Sequence, residues 1–189
     1  MPALLAAIAL PAETDADAFL GPLVSAARAA GLFIGGMLAP ADELKDMCRC
    51  AMFVEDLISG ERIKISQDLG PESNSCSLDP GQLIIAGRFI RGAIEAGVDL
   101  IVVNKFGKRE AAGEGLRDEI AGALEAGTPL LTTVKPEILD AWIEFVGEFG
   151  CVLRAEPDAV LQWFTQIRPP AQSGGATLLT QDSALNPAP

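Results

Sequence analysis

Residues Asp99–Val134 read DLIVVNKFGKREAAGEGLRDEIAGALEAGTPLLTTV. Leu100–Val103 is apolar at every position, the pattern of a strand buried on both faces. The run stops at Asn104. Leu116, Ile120 and Leu124 then recur every four residues, which predicts a helix with one apolar stripe. Gly127 ends that helix, and TPLLTTV predicts a second buried strand. A strand, a helix and a strand over so short a length make a βαβ unit. Its two strands pair in parallel because the helix carries the chain back across the sheet. This unit predicts an α/β fold built on a parallel sheet.

The same rhythm extends in both directions. Ala3–Leu10 is a buried strand ended by Pro11. Thr14 or Asp15 caps the helix that follows. Its apolar positions are Phe19, Leu20, Leu23, Ala27 and Ala30, with Pro22 weakening its early turns and Gly31 closing it. Residues 32–39 form a second strand, with glycines where another group packs close. Residues 50–66 predict a hairpin about Ser59-Gly60. Its second arm alternates Ile63 and Ile65 with Arg62 and Lys64, so one face is wet. Residues 67–80 are rich in Gly, Pro, Ser, Asn and Asp and form a loop. Asp79 and Pro80 start a helix as cap and first residue. Leu83, Gly87, Ile90 and Ile94 lie on its buried face, and Gly97 stops it. Beyond Val134, Pro136 opens a helix carrying Ile138, Trp142, Phe145, Val146 and Phe149. Residues 151–155 form a short strand and Pro157–Ile167 a last helix. The expectation is one three-layer α/β domain over residues 1–167, with a mostly parallel sheet and a β-hairpin insertion. The Pro/Gly/Ser/Ala-rich residues 168–189 are expected to be disordered.

Composition narrows the function. Lys and Arg number 14 against 26 Asp and Glu, a formal net charge of −12. That charge argues against nucleic-acid binding, which rests on phosphate neutralisation, and against docking on anionic lipid. The chain contains no His and no Tyr. Histidine acid–base catalysis, Ser-His-Asp triads and histidine metal ligands are therefore excluded. No apolar run reaches the roughly 18 residues of a membrane span, and the first residues lack the cationic start of a signal peptide. A cytoplasmic location is expected, and a homo-oligomer is compatible with the sequence.

Against this acidic background, three cations crowd just past a buried strand: Lys105, Lys108 and Arg109. Ligands of open parallel sheets bind beyond the carboxyl ends of the strands. There, helix N-termini and loop amides favour anions. These cations and Asn104 form a candidate anion site. The plain alternative is a solvated loop in which the cations pair with Glu110 and Glu114. Cys76 lies between Ser75 and Ser77, just before a helix start that favours a thiolate, so these three are candidate ligand contacts; a capped turn is the alternative. Cys48, Cys50 and Cys76 could hold a soft metal, but no CxxC pair is present. Cys50 and Cys151 read as small buried hydrophobes.

The stretch NKFGKREAAGEG, with SNSCSLDPGQL before it and AGTPLLTTV after it, resembles an uncharacterised bacterial family often encoded beside molybdate-transport genes. That family is similar in turn to small P-loop nucleoside triphosphatases first described from thermophiles. The resemblance implies a P-loop nucleoside-triphosphatase-like fold. It also implies a nucleotide or an oxyanion such as molybdate or tungstate as ligand. The site departs from the triphosphatase pattern. A working P-loop reads G-x-x-x-x-G-K-[ST]. Here ALPAETDADAF has neither Gly nor Lys and carries Glu13, Asp15 and Asp17. Thr14 alone fits the hydroxyl position. Asn104 and Lys105 stand where an acidic pair is expected, and Glu110 matches a later Glu of that motif. The expectation is a small-anion or nucleotide binder with a degenerate Walker A that does not hydrolyse its ligand. The alternatives are a divergent triphosphatase or phosphotransferase using Glu110, and a cysteine-based metal protein.

Overall fold

A computed structural model describes residues 3–40, 52–67 and 77–167. The strands begin with β1 (Leu5–Ala9), β2 (Ile34–Leu38) and the hairpin β3 (Phe53–Asp56) and β4 (Arg62–Lys64). A small pair follows, β5 (Ser66–Gln67) and β6 (Ser77–Leu78), and then β7 (Leu100–Val103), β8 (Leu130–Val134) and β9 (Gly150–Arg154). The helices are α1 (Ala16–Ala29), α2 (Pro80–Ala86), α3 (Arg88–Ala96), α4 (Lys108–Ala111), α5 (Arg117–Glu125), α6 (Leu139–Val146) and α7 (Pro157–Ile167). The main sheet has seven strands in the order β4-β3-β2-β7-β8-β1-β9. The five strands from β2 to β9 are parallel, and the hairpin β3–β4 extends them antiparallel to β2.

Alternation along the strands makes three layers. Leu5 and Ala7 of β1 join one core with Ile90 of α3, Ile120 of α5 and Trp142 of α6. Ala6 and Ile8 join the other with Leu20 and Val24 of α1 and Val160 and Trp163 of α7. The fold is thus the expected three-layer α/β sheet with its hairpin.

The glycines of β2 are there for close approach. A Cβ on Gly36 (φ +98°) would lie 2.1 Å from the Val102 carbonyl oxygen, and one on Gly35 would lie 2.6 Å from Ala93 Cβ. No side chain fits either place.

Three expected elements differ in detail. The helix expected from Asp79 to Gly97 is two helices, α2 and α3, meeting at Gly87. A Cβ at Gly87 would sit 2.7 Å from a Glu119 carboxylate oxygen, so α5 packs against bare backbone there. Lys108 and Arg109 belong to the single-turn helix α4 rather than to a loop. Phe149, expected on the buried stripe of the helix after Pro136, follows α6 in a 3-10 turn and is 46% exposed. Among the described residues, no helix is long and apolar enough to cross a membrane. The tail from Arg168 lies outside the described residues.

Candidate functional site

In an open parallel sheet the crevice opens where neighbouring strands send their chains to opposite faces. Here that point is β1 and β8. The chain leaving β1 enters α1 on one face, and the chain leaving β8 enters α6 on the other. Leu10 N–H donates to the Val134 carbonyl at 3.0 Å, so the two strands stay joined up to the lip of the crevice.

The β1 turn closes upon its own groups. Asp15 caps α1: its carboxylate accepts from Asp17 N–H at 2.8 Å and Ala18 N–H at 3.1 Å. Those amides are the ones a helix N-terminus would otherwise offer an anion. Asp17 faces sideways along the strand ends. One of its oxygens accepts from Ala39 N–H at 2.7 Å, just past β2, and the other lies 3.4 Å from Asn104 Nδ2. Lys135, directly after β8, donates from Nζ to the carbonyls of Pro11 (2.7 Å), Ala12 (2.8 Å) and Thr14 (2.5 Å). Of Thr14, therefore, the backbone carbonyl is committed to Lys135.

The loop after β7 is built differently. Phe106 is buried; its ring meets Trp142 edge-on at 5.2 Å and stacks on Phe145 at 5.4 Å. Phe106 N–H donates to the Thr133 carbonyl, and Thr133 Oγ1 donates to the Asn104 carbonyl at 2.5 Å. With its neighbours so anchored, Lys105 stands in solvent. Glu110 is 5% exposed, and both its oxygens are engaged: one accepts from Gly107 N–H at 2.9 Å, the other from Leu116 N–H at 3.0 Å. It clamps α4 to the start of α5. Gly115 (φ +65°) leaves room for this, since a Cβ there would lie 2.2 Å from the carboxylate. Arg117 donates to the Glu110 carbonyl at 3.0 Å and lies over the Phe145 ring at 4.4 Å. Arg109 pairs with Glu114 at 3.1 Å, as the solvated-loop alternative expects. Lys105 and Lys108 are exposed and have no ion-pair or hydrogen-bond partner among the described residues.

The structure thus brings Thr14, Asn104, Lys105, Lys108 and Arg109 to the carboxyl edge of the sheet. Cys48, Cys50, Ser75 and Cys76 lie outside the described residues. Ser77 pairs across β5–β6 with Gln67, distant in sequence from the cationic loop. Cys151 on β9 is half-buried rather than fully buried, and burial pushes its thiol pKa up. Among the described residues no group of His, Cys, Asp or Glu could hold a metal ion. An open hollow of about 770 Å³ is lined by Arg62, Lys64, Asp79 and their neighbours, and no residue of the β1 turn or the β7 loop lines it. Two contributors are absent from the sequence-based candidates as ligand-site residues: Lys135 and Asp17. Both carried a usable signal, since each lies at the carboxyl edge of a parallel strand or the start of the helix after one.

The profile of the family described as "Protein of unknown function (DUF2478)" matches residues 5–163. The chain is 40% identical over 163 residues to "Molybdenum import ATP-binding protein ModC 2" of Bradyrhizobium diazoefficiens. That alignment covers 86% of the chain but only 18% of the relative. Among solved structures, a human cancer-related nucleoside triphosphatase superposes with a TM-score of 0.58 at 14% identity, covering 92% of this chain and 99% of that one. THEP1 from Aquifex aeolicus superposes with a TM-score of 0.55 at 11% identity, covering 86% and 95%. At such identities the likeness shows the fold, which is that of the P-loop nucleoside triphosphatases.

Proposed function

The chain belongs to the DUF2478 family, and on that footing we propose that it is a non-hydrolytic binding module on a nucleoside-triphosphatase-like scaffold. Its ligand is a small oxyanion of the molybdate or tungstate class, held at the β7 loop by Lys105 and Lys108 with Asn104 beside them. A single observation carries the non-hydrolytic part. Where a phosphate cradle turns amides and a lysine toward its ligand, this β1 turn spends the Asp17 and Ala18 amides on Asp15 and turns three carbonyls toward Lys135.

The oxyanion part is supported by charge. In a chain of net charge −12, an anion needs a local positive focus, and Lys105 and Lys108 lie unpaired among the described residues. The molybdate part is supported by the relative, whose name ties it to molybdenum import and which contains a stretch like this chain within a longer protein. A triphosphatase built on Glu110 is the weaker reading, because both carboxylate oxygens are held by backbone amides.

Thermal unfolding with molybdate, tungstate, sulfate and Mg-ATP tests this reading, since a ligand that binds only the folded chain raises its melting temperature. Molybdate or tungstate is expected to stabilise the wild type and not Lys105→Ala/Lys108→Ala. Release of phosphate from Mg-ATP, abolished by Glu110→Gln in a still-folded protein, would establish the enzyme instead.

A further inference from the structure

Lys135 bridges the lip of the crevice between β1 and β8. An ammonium has three N–H donors. Here all three find carbonyls of one short turn, those of Pro11, Ala12 and Thr14, at 2.5–2.8 Å. Three amides here face other partners: Thr14 N–H donates to the Pro11 carbonyl at 3.1 Å, and those of Asp17 and Ala18 go to Asp15. An anion-binding turn has the opposite polarity, with successive N–H groups converging on one point.

We infer that Lys135 is a built-in cation that holds three carbonyls of the β1 turn on its own ammonium, so that the turn is an open carbonyl cage for an ammonium-type monovalent cation and closed to phosphate. Lys135 is a positioning residue: it acts through the turn and touches no reacting group. The inference rests on the non-hydrolytic reading and adds the sign of the charge that the crevice accepts. It also separates two jobs at the edge of the sheet. Cation capture belongs to the β1 turn, and exposed positive charge to the β7 loop, where Lys105 and Lys108 stand.

Chemical rescue tests it. Lys135→Ala removes the side chain beyond Cβ and leaves a gap shaped for n-propylammonium. The variant is expected to melt below the wild type. Propylammonium chloride is expected to recover part of that loss, beyond the effect of equal tetramethylammonium chloride, and to leave the wild type unchanged. Phosphate and Mg-ATP are expected to recover none of it. Equal effects of the two ammonium salts, or a stabilisation by phosphate that is larger in the variant than in the wild type, would overturn the inference.

A second measurement needs only the wild type, should Lys135→Ala fail to fold. Nitrogen-15 NMR of the lysine ammonium groups, assigned by loss of one signal in Lys135→Arg, should show Lys135 exchanging its protons about tenfold more slowly than exposed Lys105. Equal exchange at both would overturn the cage. Turnover of Mg-ATP by the wild type would sink the non-hydrolytic reading whatever the rescue shows. Failed rescue without turnover would sink the cage alone.

Discussion

The β1 turn and the β7 loop both leave the carboxyl edge of the same parallel sheet, and each leads into a helix, yet they spend their charges in opposite ways. At the β1 turn the charged groups are turned mainly onto backbone: Asp15 onto two amides of α1, Asp17 onto Ala39 with Asn104 Nδ2 at its other oxygen, and Lys135 onto three carbonyls. At the β7 loop Glu110 is spent inward, on Gly107 and Leu116, while Arg117 holds the Glu110 carbonyl and Arg109 pairs with Glu114. Its lysines remain in solvent. The difference teaches where a ligand can enter. Backbone groups already satisfied by internal charges have little to gain from a guest, whereas an exposed, unpaired cation has no internal partner to give up when it meets one.

Substitutions at the two loops can break this contrast, and they rank by how much backbone each side chain satisfies. Glu110→Ala should cost the most, about 3–5 kcal/mol, because two buried amides lose charge-assisted hydrogen bonds. Urea unfolding measures it; a loss below about 1 kcal/mol would mean that water replaces the carboxylate. Lys135→Met should cost about 1–3 kcal/mol, less than Glu110→Ala because the carbonyls it leaves lie near solvent. The same unfolding curve reports it, and an unchanged midpoint would show that the β1 turn holds its shape without the lysine. Asp15→Ala should cost about 1 kcal/mol, the usual value of an N-cap, visible as a small fall in the urea midpoint. Lys105→Ala/Lys108→Ala should change stability by less than about 0.5 kcal/mol, as surface substitutions do, while abolishing the molybdate-induced rise in melting temperature. Loss of stability equal to the loss of binding would make these cations structural.

Much of this contrast was readable in the sequence, and what was not has a physical cause. The strands and helices followed from hydrophobic period, and Asp15, Asp79 and Gly97 cap and stop helices as local chemistry dictates. The two glycines of β2 announced close packing, though not that Val102 and Ala93 would supply it. The break at Gly87 escaped the periodic pattern, and the group that a side chain there would meet, the Glu119 carboxylate, comes from α5. Glu110 was legible as a polar residue beside the cations, but its partners Gly107 and Leu116 are backbone amides that no side-chain pattern records. Lys135 was the hardest to see. Its partners lie more than 120 residues away, and only the adjacency of β1 and β8 brings them together. The sequence already shows carboxylates in the β1 turn where a P-loop has Gly and Lys. The structure adds that Asp15 occupies the helix amides itself.

The most direct test of the closed β1 turn is an amide NMR titration of the wild type with Mg-ATP and, separately, with molybdate, together with an assay for released phosphate. The account predicts that molybdate shifts the amides of Lys105–Lys108, that Mg-ATP leaves those of Thr14–Ala18 unmoved, and that no phosphate is released. Shifts at Thr14–Ala18 with Mg-ATP, accompanied by its hydrolysis, would contradict it.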